Sequence, residues 1–425
     1  MLIILLIVFA LMLIINIPVA FCLGISVLVS LVVATDLTPT IISIKMYSIV
    51  ASFPIIAIPL YVIAGNLMNK SGITTRLINL AKTLVGFMRG GLSMSSVLAC
   101  MFFGGVSGSS LADTAAIGSV VIPELKKEGY DPEFSAALVA SAGTLGSIIP
   151  PSIAMVLYGV VAQTSIASLF LAGALPGIIL GISFMIICYI YAIIHKLPVG
   201  PKPTIKSASI ALFNGLVPLG MPLIIVVGIY GGIFTATEAG MVAILYSLIV
   251  GVFVFRSLKL KDLIDTLYES ALVAAVPVLI ISFSGGFAHL NSYAEIPKSV
   301  STMIYSLTSN KYLILFLINI MLLVIGMFID GAAVYPIVVP IFLPLLIEMG
   351  VSPIQFGAII VFNLSMGMVT PPVGGTLYTA SAIAELSPMA VAKKTGPFLA
   401  VAFLILMLVT YIPWISEYLP SLMAN

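Results

Sequence analysis

Residues 102–113 read FFGGVSGSSLAD and residues 146–152 read GSIIPPS, and both stretches lie inside runs that are otherwise hydrocarbon. The first collects glycines, serines and the carboxylate of Asp113 where an apolar helix would ordinarily continue. The second sets Pro150 beside Pro151. Proline has no backbone N–H and its ring clashes with the turn before it, so a helix through 134–165 must be interrupted there. Interruption in an apolar setting frees N–H and C=O groups that lipid cannot satisfy. Such a break persists only where it lines protein, water or a bound ion.

The setting is a membrane. Of 425 residues, 61% are hydrophobic and 8% charged, with a mean hydropathy of +1.28, a balance far from that of a soluble domain. Apolar runs of about 20 residues recur along the chain, whereas barrel strands would alternate in segments of about ten. A polytopic helical protein is predicted and an outer-membrane barrel excluded. The net charge of +2 is spread over short loops, which excludes a nucleic-acid partner. Cys22, Cys100 and Cys188 sit in apolar surroundings without paired spacing, so neither a disulfide frame nor a zinc site is indicated. The apolar run 1–34 is uncharged at its start and too long for a signal peptide, and is predicted to be one tilted or kinked span.

Polar links divide the rest. The segments 69–91 and 256–270 carry apolar residues at helical spacing with lysine and arginine between them, the pattern of helices lying along the interface. The Pro-rich segment HKLPVGPKPTIKSAS, 195–209, reads as the linker between two halves, 1–200 and 201–425. The halves repeat. At a constant offset of 221, Pro123 matches Pro344, Gly129 matches Gly350, Pro132 matches Pro353, Gly146 matches Gly367, and Pro150-Pro151 matches Pro371-Pro372. By chance well under one such match is expected. Upstream, the register is expected to slip by four residues so that Asp113 pairs with Asp330. Each half is thus predicted to carry a re-entrant hairpin (92–122 and 312–347) followed by a helix broken at the proline pair (134–165 and 355–386). The fold class is an all-α membrane protein of inverted repeats. Paired breaks at matched places mark a secondary transporter with its site near the midplane.

Glycines in the first tip permit turns closed to other residues, and Ser107, Ser109 and Ser110 add hydroxyl oxygens. Carbonyl, hydroxyl and carboxylate oxygens suit a hard cation such as sodium, while a helix end rich in free N–H groups suits an anion. Gly143, Thr144, Gly146, Ser147 and Ser152 flank the first proline pair as Gly367, Thr370, Gly374, Gly375 and Thr376 flank the second. Each break is expected to close a cation site against its own hairpin tip; a kink for packing alone is the alternative. Asp113 and Asp330 would each cost roughly 2.5–3.5 kcal/mol facing lipid and are expected to face a polar interior. For Asp113 the alternative is an N-cap that only starts the second hairpin arm, and for the serines close packing of small residues. Glu238 is either a proton carrier or a cap. An enzyme reading rests on Gly105-Val106-Ser107-Gly108, which spells the nucleophile motif of rhomboid intramembrane proteases, with His289 as a partner. Two residues are all that match, and the chain has more spans than such an enzyme needs. A passive channel built from broken helices is a third class. No nucleotide-binding or metalloprotease motif is present, and no cofactor is expected.

The stretches FGGVSGSSLADTAAIGSVVIP (103–123), GSIIPPS (146–152), FPIIAIPLYVIAGNLM (53–68) and MVTPPVGGTLY (368–378) together resemble the large membrane subunit of tripartite ATP-independent periplasmic (TRAP) transporters over essentially the whole length. The resemblance implies a sodium-coupled importer of organic-acid anions, of the sialic acid or C4-dicarboxylate type, in the bacterial inner membrane. It implies an elevator mechanism, in which a domain holding both hairpins and both broken helices moves against a scaffold. The partners implied are a soluble periplasmic substrate-binding protein and a small four-helix membrane subunit, expected here as a separate polypeptide. Carried over by position, Ser107, Ser109 and Asp113 with Gly143, Thr144 and Ser147 would form one sodium site. Gly326 with Gly367, Thr370, Gly374 and Thr376 would form the other, with substrate between them against Ser110, Ser152 and Asp330.

Overall fold

The computed structural model describes residues 1–15, 17–35, 37–197, 199–200 and 202–423. The chain opens with α1 (Leu2–Ile14), α2 (Val19–Ala34) and α3 (Thr40–Val50), followed by α4 (Ala57–Lys70) and α5 (Ile73–Val85). The first hairpin is α6 (Gly91–Ser107) and α7 (Ser110–Lys127); the first broken helix is α8 (Pro132–Gly143), the short α9 (Leu145–Ile148) and α10 (Ile153–Ala162). Helices α11 (Ile166–Ile194), α12 (Ile205–Tyr230) and α13 (Ala236–Ile249) lead to α14 (Leu260–Tyr293) and α15 (Ile296–Leu307). The second hairpin is α16 (Lys311–Gly326) and α17 (Gly331–Glu348), the second broken helix α18 (Pro353–Gly367) and α19 (Gly375–Ala384), and the chain closes with α20 (Pro388–Tyr411) and α21 (Trp414–Ser421). Among the described residues, seven helices are long and apolar enough to cross a membrane.

The repeat is visible in the local chemistry that starts and stops these helices. α7 and α17 are both followed by a glycine in the left-handed region, Gly129 at φ +84° and Gly350 at φ +70°, a conformation that costs other residues strain. The next helix then begins with proline at its first position behind a polar cap. Asp131 accepts from the Glu133 N–H at 2.9 Å, and Ser352 accepts from the Gln355 N–H at 3.0 Å. Each cap satisfies an amide that the helix itself cannot. Both proline pairs have a cis peptide bond.

Three expectations are corrected. The run 1–34 is not one span: α1 and α2 fold back on each other, and Leu5 shares a small core with Leu23, Val27 and Leu31. Pro18, the N-cap of α2, cannot continue α1; Asn16 lies outside the described residues. Segment 256–270 is not a separate interfacial helix. From Leu260 to Pro277 nothing interrupts a helical pattern, so these residues form the first turns of the 34-residue α14. At the same offset the counterpart of α5 is instead α15, which meets α16 at 118°. Third, the four-residue slip is absent. α7 and α17 span Ser110–Lys127 and Gly331–Glu348, still at the offset of 221. Asp330 therefore stands where Ser109 stands, and the counterpart of Asp113 is Val334.

The halves are packed crosswise. α7 lies against α19 of the other half, and α17 against α10. Tyr158 on α10 donates to the Pro353 carbonyl at 2.6 Å, and Lys126 on α7 to the Ala384 carbonyl at 2.6 Å. In the linker, Val199 forms an antiparallel bridge with Arg89, which fastens the linker beside the loop after α5. The boundary drawn at 200/201 falls on Pro201, which is outside the described residues.

Candidate functional site

At the first tip α6 ends at Ser107 and Gly108 turns the chain at φ +64°. A Cβ at Gly108 would lie 2.7 Å from the Pro151 carbonyl oxygen, and the Ile153 N–H donates to the Gly108 carbonyl at 3.1 Å. The tip is thus seated directly on the first proline break, which supplies the freed backbone groups with partners. Ser109 is the N-cap of α7, its hydroxyl accepting from the Ala112 N–H at 3.4 Å. The N-cap reading therefore belongs to Ser109 and not to Asp113.

Asp113 points inward, one turn along α7, and is fully buried. Its Oδ1 accepts a hydrogen bond from the Ser107 hydroxyl, while its Oδ2 has no partner. Two glycines make the space around Oδ2. A Cβ at Gly146 would lie 2.2 Å from it and one at Gly104 3.2 Å from it. No described lysine, arginine or histidine pairs with this carboxylate. A buried charge without a partner is costly, and a cation bound beside this oxygen would relieve the cost. The remaining oxygens are close by. Ser110 and Ser147 share a hydroxyl–hydroxyl contact at 2.6 Å, Ser110 reaches the Thr144 carbonyl at 3.3 Å, and Ser152 donates to the Ser147 carbonyl. The Thr144 hydroxyl turns to its own helix at Ser141. Gly143 serves close packing, since a Cβ there would lie 2.0 Å from the Thr114 hydroxyl.

The second tip is likewise seated on its proline break, through other residues. Gly326 and Gly367 touch so closely that a Cβ on Gly367 would lie 2.5 Å from the Gly326 carbonyl carbon, and the Val373 N–H donates to the Met327 carbonyl at 3.2 Å. Thr376 is fully buried and donates to the Met368 carbonyl at 2.9 Å; Thr370 donates back to Met366 at 2.8 Å. Gly374 turns the chain at φ +43°. Asp330 faces the accessible end of its tip, and its Oδ1 accepts from the Ala332 N–H at 2.9 Å as the N-cap of α17. Ser110 and Ser152 both meet Ser147, whereas the hydrogen bonds of Asp330 stay on its own helix.

Among the described residues no three histidines, cysteines or carboxylates are grouped, so the donors are hydroxyls, carbonyls and one carboxylate, a set suited to a hard cation. Ser107 is not joined to His289; its hydroxyl is committed to Asp113. Glu238 closes a capping box with Thr235, accepting from its N–H at 2.8 Å, which settles it as a cap. Two polar residues escaped sequence reasoning. Asn363 on α18 donates to the carbonyl and the side chain of Asn319 on α16, both at 2.9 Å, and Asn319 reaches Thr410 on α20 at 3.0 Å. Asparagine inside the apolar runs FLINIM and VFNLSM was the available signal, because such a residue needs a partner across helices.

Residues 6–415 match the family description "Tripartite ATP-independent periplasmic transporter, DctM component". The chain is 38% identical over 380 residues to the C4-dicarboxylate TRAP transporter large permease protein DctM of Pseudomonas aeruginosa, covering 89% of each. It is also 38% identical over 415 residues to the isethionate TRAP transporter permease protein DctMQ of Oleidesulfovibrio alaskensis, covering 96% of this chain and 65% of that one. Among solved structures, the YdaH transporter of Alcanivorax borkumensis matches with a TM-score of 0.65 at 14% identity, over 90% of this chain and 88% of that one, a likeness of fold alone.

Proposed function

This chain belongs to the family of the DctM component of tripartite ATP-independent periplasmic transporters, and from that premise we propose that it imports an organic-acid anion across the bacterial inner membrane by sodium symport. The observation that carries sodium coupling is the buried Asp113, whose unpartnered oxygen faces a glycine cradle at the junction of a hairpin tip and a broken helix. Ser107, Ser109, Ser147 and the freed carbonyls complete an oxygen cage there; Gly326, Gly367, Thr370, Gly374 and Thr376 build the second. Ser110, Ser152 and Asp330 are the proposed substrate contacts. A carboxylate such as Asp330 suits a hydroxyl or amine of the substrate, since it repels the substrate's own anionic group.

Delivery by a soluble binding protein and assembly with a small membrane subunit follow from the same membership. Relatives bear the names of C4-dicarboxylate and isethionate systems, so selection among organic acids falls to the binding protein. The crosswise packing of both hairpins on both broken helices supports their moving as one unit against α1–α4 and α12–α15 in an elevator motion. The test is uptake into proteoliposomes carrying the complete complex and its binding protein. Accumulation should need an inward sodium gradient, and transport undiminished when choline replaces sodium would overturn the reading.

A further inference from the structure

The two cradles differ in charge, and the difference sets an order of filling. In the first repeat Asp113 is fully buried, has no cationic partner and leaves one oxygen free between Gly104 and Gly146. The matched station of the second repeat holds Val334, which is 1% exposed. The acid of the second tip, Asp330, lies at the accessible end of the hairpin, where its Oδ1 caps α17 by accepting from the Ala332 N–H. At the junction of Gly326, Gly367 and Thr376 the oxygens are hydroxyls and carbonyls, all neutral: the Thr376 and Thr370 hydroxyls and the carbonyls of Met366 and Met368. A unit negative charge at contact distance in a protein interior changes cation affinity by about a thousand-fold. The first cradle carries that charge as part of the chain. The second must receive it from outside, and the anionic cargo is the group that brings one.

Resting on the sodium-coupled reading above, we propose that the first-repeat cradle binds a sodium ion with no substrate present, whereas the second-repeat cradle fills only together with the anionic substrate. Neutral ligands then become the coupling device. An ion at the second cradle and the substrate each lack a counter-charge alone, so each stabilises the other, and by linkage the effect is reciprocal. The ion at Asp113 is already neutralised and does not depend on the cargo.

The test is equilibrium binding of radioactive sodium to the full chain in lipid nanodiscs with no organic anion added. Saturation at one ion per chain is expected. Asp113→Asn should lower the affinity for that ion more than a hundred-fold, and Ser107→Ala should weaken it. Thr376→Val should leave it within about two-fold. Two ions binding together without any anion would overturn the proposal while leaving sodium coupling intact. So would a single ion that survives Asp113→Asn or disappears in Thr376→Val. No sodium binding at all by the unmodified chain would instead overturn the sodium reading itself. The stoichiometry of the unmodified chain needs no variant to fold, and for each variant the unfolding temperature and a single elution peak verify the fold.

Discussion

The two repeats share one arrangement of hairpin and proline break and differ in their chemistry. Gly146 and Gly367, the left-handed Gly129 and Gly350, the prolines at 132 and 353 and the cis proline pairs all coincide at one offset. The side chains do not: Ser109 stands opposite Asp330, Asp113 opposite Val334, Ser147 opposite Met368 and Ser152 opposite Val373. Several residues that set φ or allow two backbones to touch are kept in both copies, although the left-handed Gly108 stands opposite Ile329 and the left-handed Gly374 opposite Ile153. Residues that hold a ligand are free to diverge once the two cradles take different roles. A duplicated frame therefore does not make a duplicated site.

The sharpest way to break the comparison is to remove the buried carboxylate of the first repeat. Asp113→Ala is expected to lower uptake into proteoliposomes more than about a hundred-fold, whereas Val334→Ala keeps most of it; equal losses would make the two tips equivalent. Glycine replacements come next. Gly367→Ala places a Cβ 2.5 Å from the Gly326 carbonyl carbon, and this neighbour is backbone on another helix. Overpacking of this kind costs about 1–3 kcal/mol or more and should appear as a lowered unfolding temperature. Gly146→Ala meets a side chain instead, Asp113 Oδ2 at 2.2 Å. Its main effect should be loss of thermal stabilisation by sodium, with the smaller change in unfolding temperature in sodium-free buffer.

The asparagine pair sharpens the contrast at lower cost. Asn363→Ala leaves the Asn319 carbonyl and side chain without their donor between α16 and α18, a loss of about 1–3 kcal/mol. The matched residue of the first repeat is already Ala142, so that half is expected to be unaffected, as hydrogen exchange along α6 and α8 would reveal. The smallest effect is at the caps. Ser109→Ala and Asp330→Ala each remove the N-cap of a hairpin arm and should cost about 1 kcal/mol of stability. Loss of uptake in Asp330→Ala beyond what its lowered stability accounts for measures what Asp330 does for the substrate beyond capping.

Much of the architecture was legible in the residues because it depends on local rules. Helix breaks at Pro150-Pro151 and Pro371-Pro372, hairpin arms ending near Ser107 and Gly326, and the 221-residue repeat all follow from residues whose backbone preferences act without their neighbours. The errors arose where local signals run out. Nothing in 1–34 says whether an apolar run is crossed once or folded on itself at Pro18, and the helical pattern of 256–270 looks the same lying on an interface or beginning α14. The slip that paired Asp113 with Asp330 came from matching residue types, and the helix bounds remove it.

By itself, then, the sequence determined a polytopic helical protein of two matched halves, each broken at a proline pair beside a glycine-rich tip. Only the tertiary structure decided which oxygens are spent and which are free. Ser109 and Asp330 bond their own helices, while Asp113 turns inward between Gly104 and Gly146 and keeps one oxygen unpaired. The physical reason is that a break or a turn is set by the φ and ψ of a few adjacent residues. Whether a carboxylate caps, pairs or waits for an ion depends on groups brought to it from α6 across the hairpin and from α9 beyond the next helix, and their positions exist only once the helices have packed.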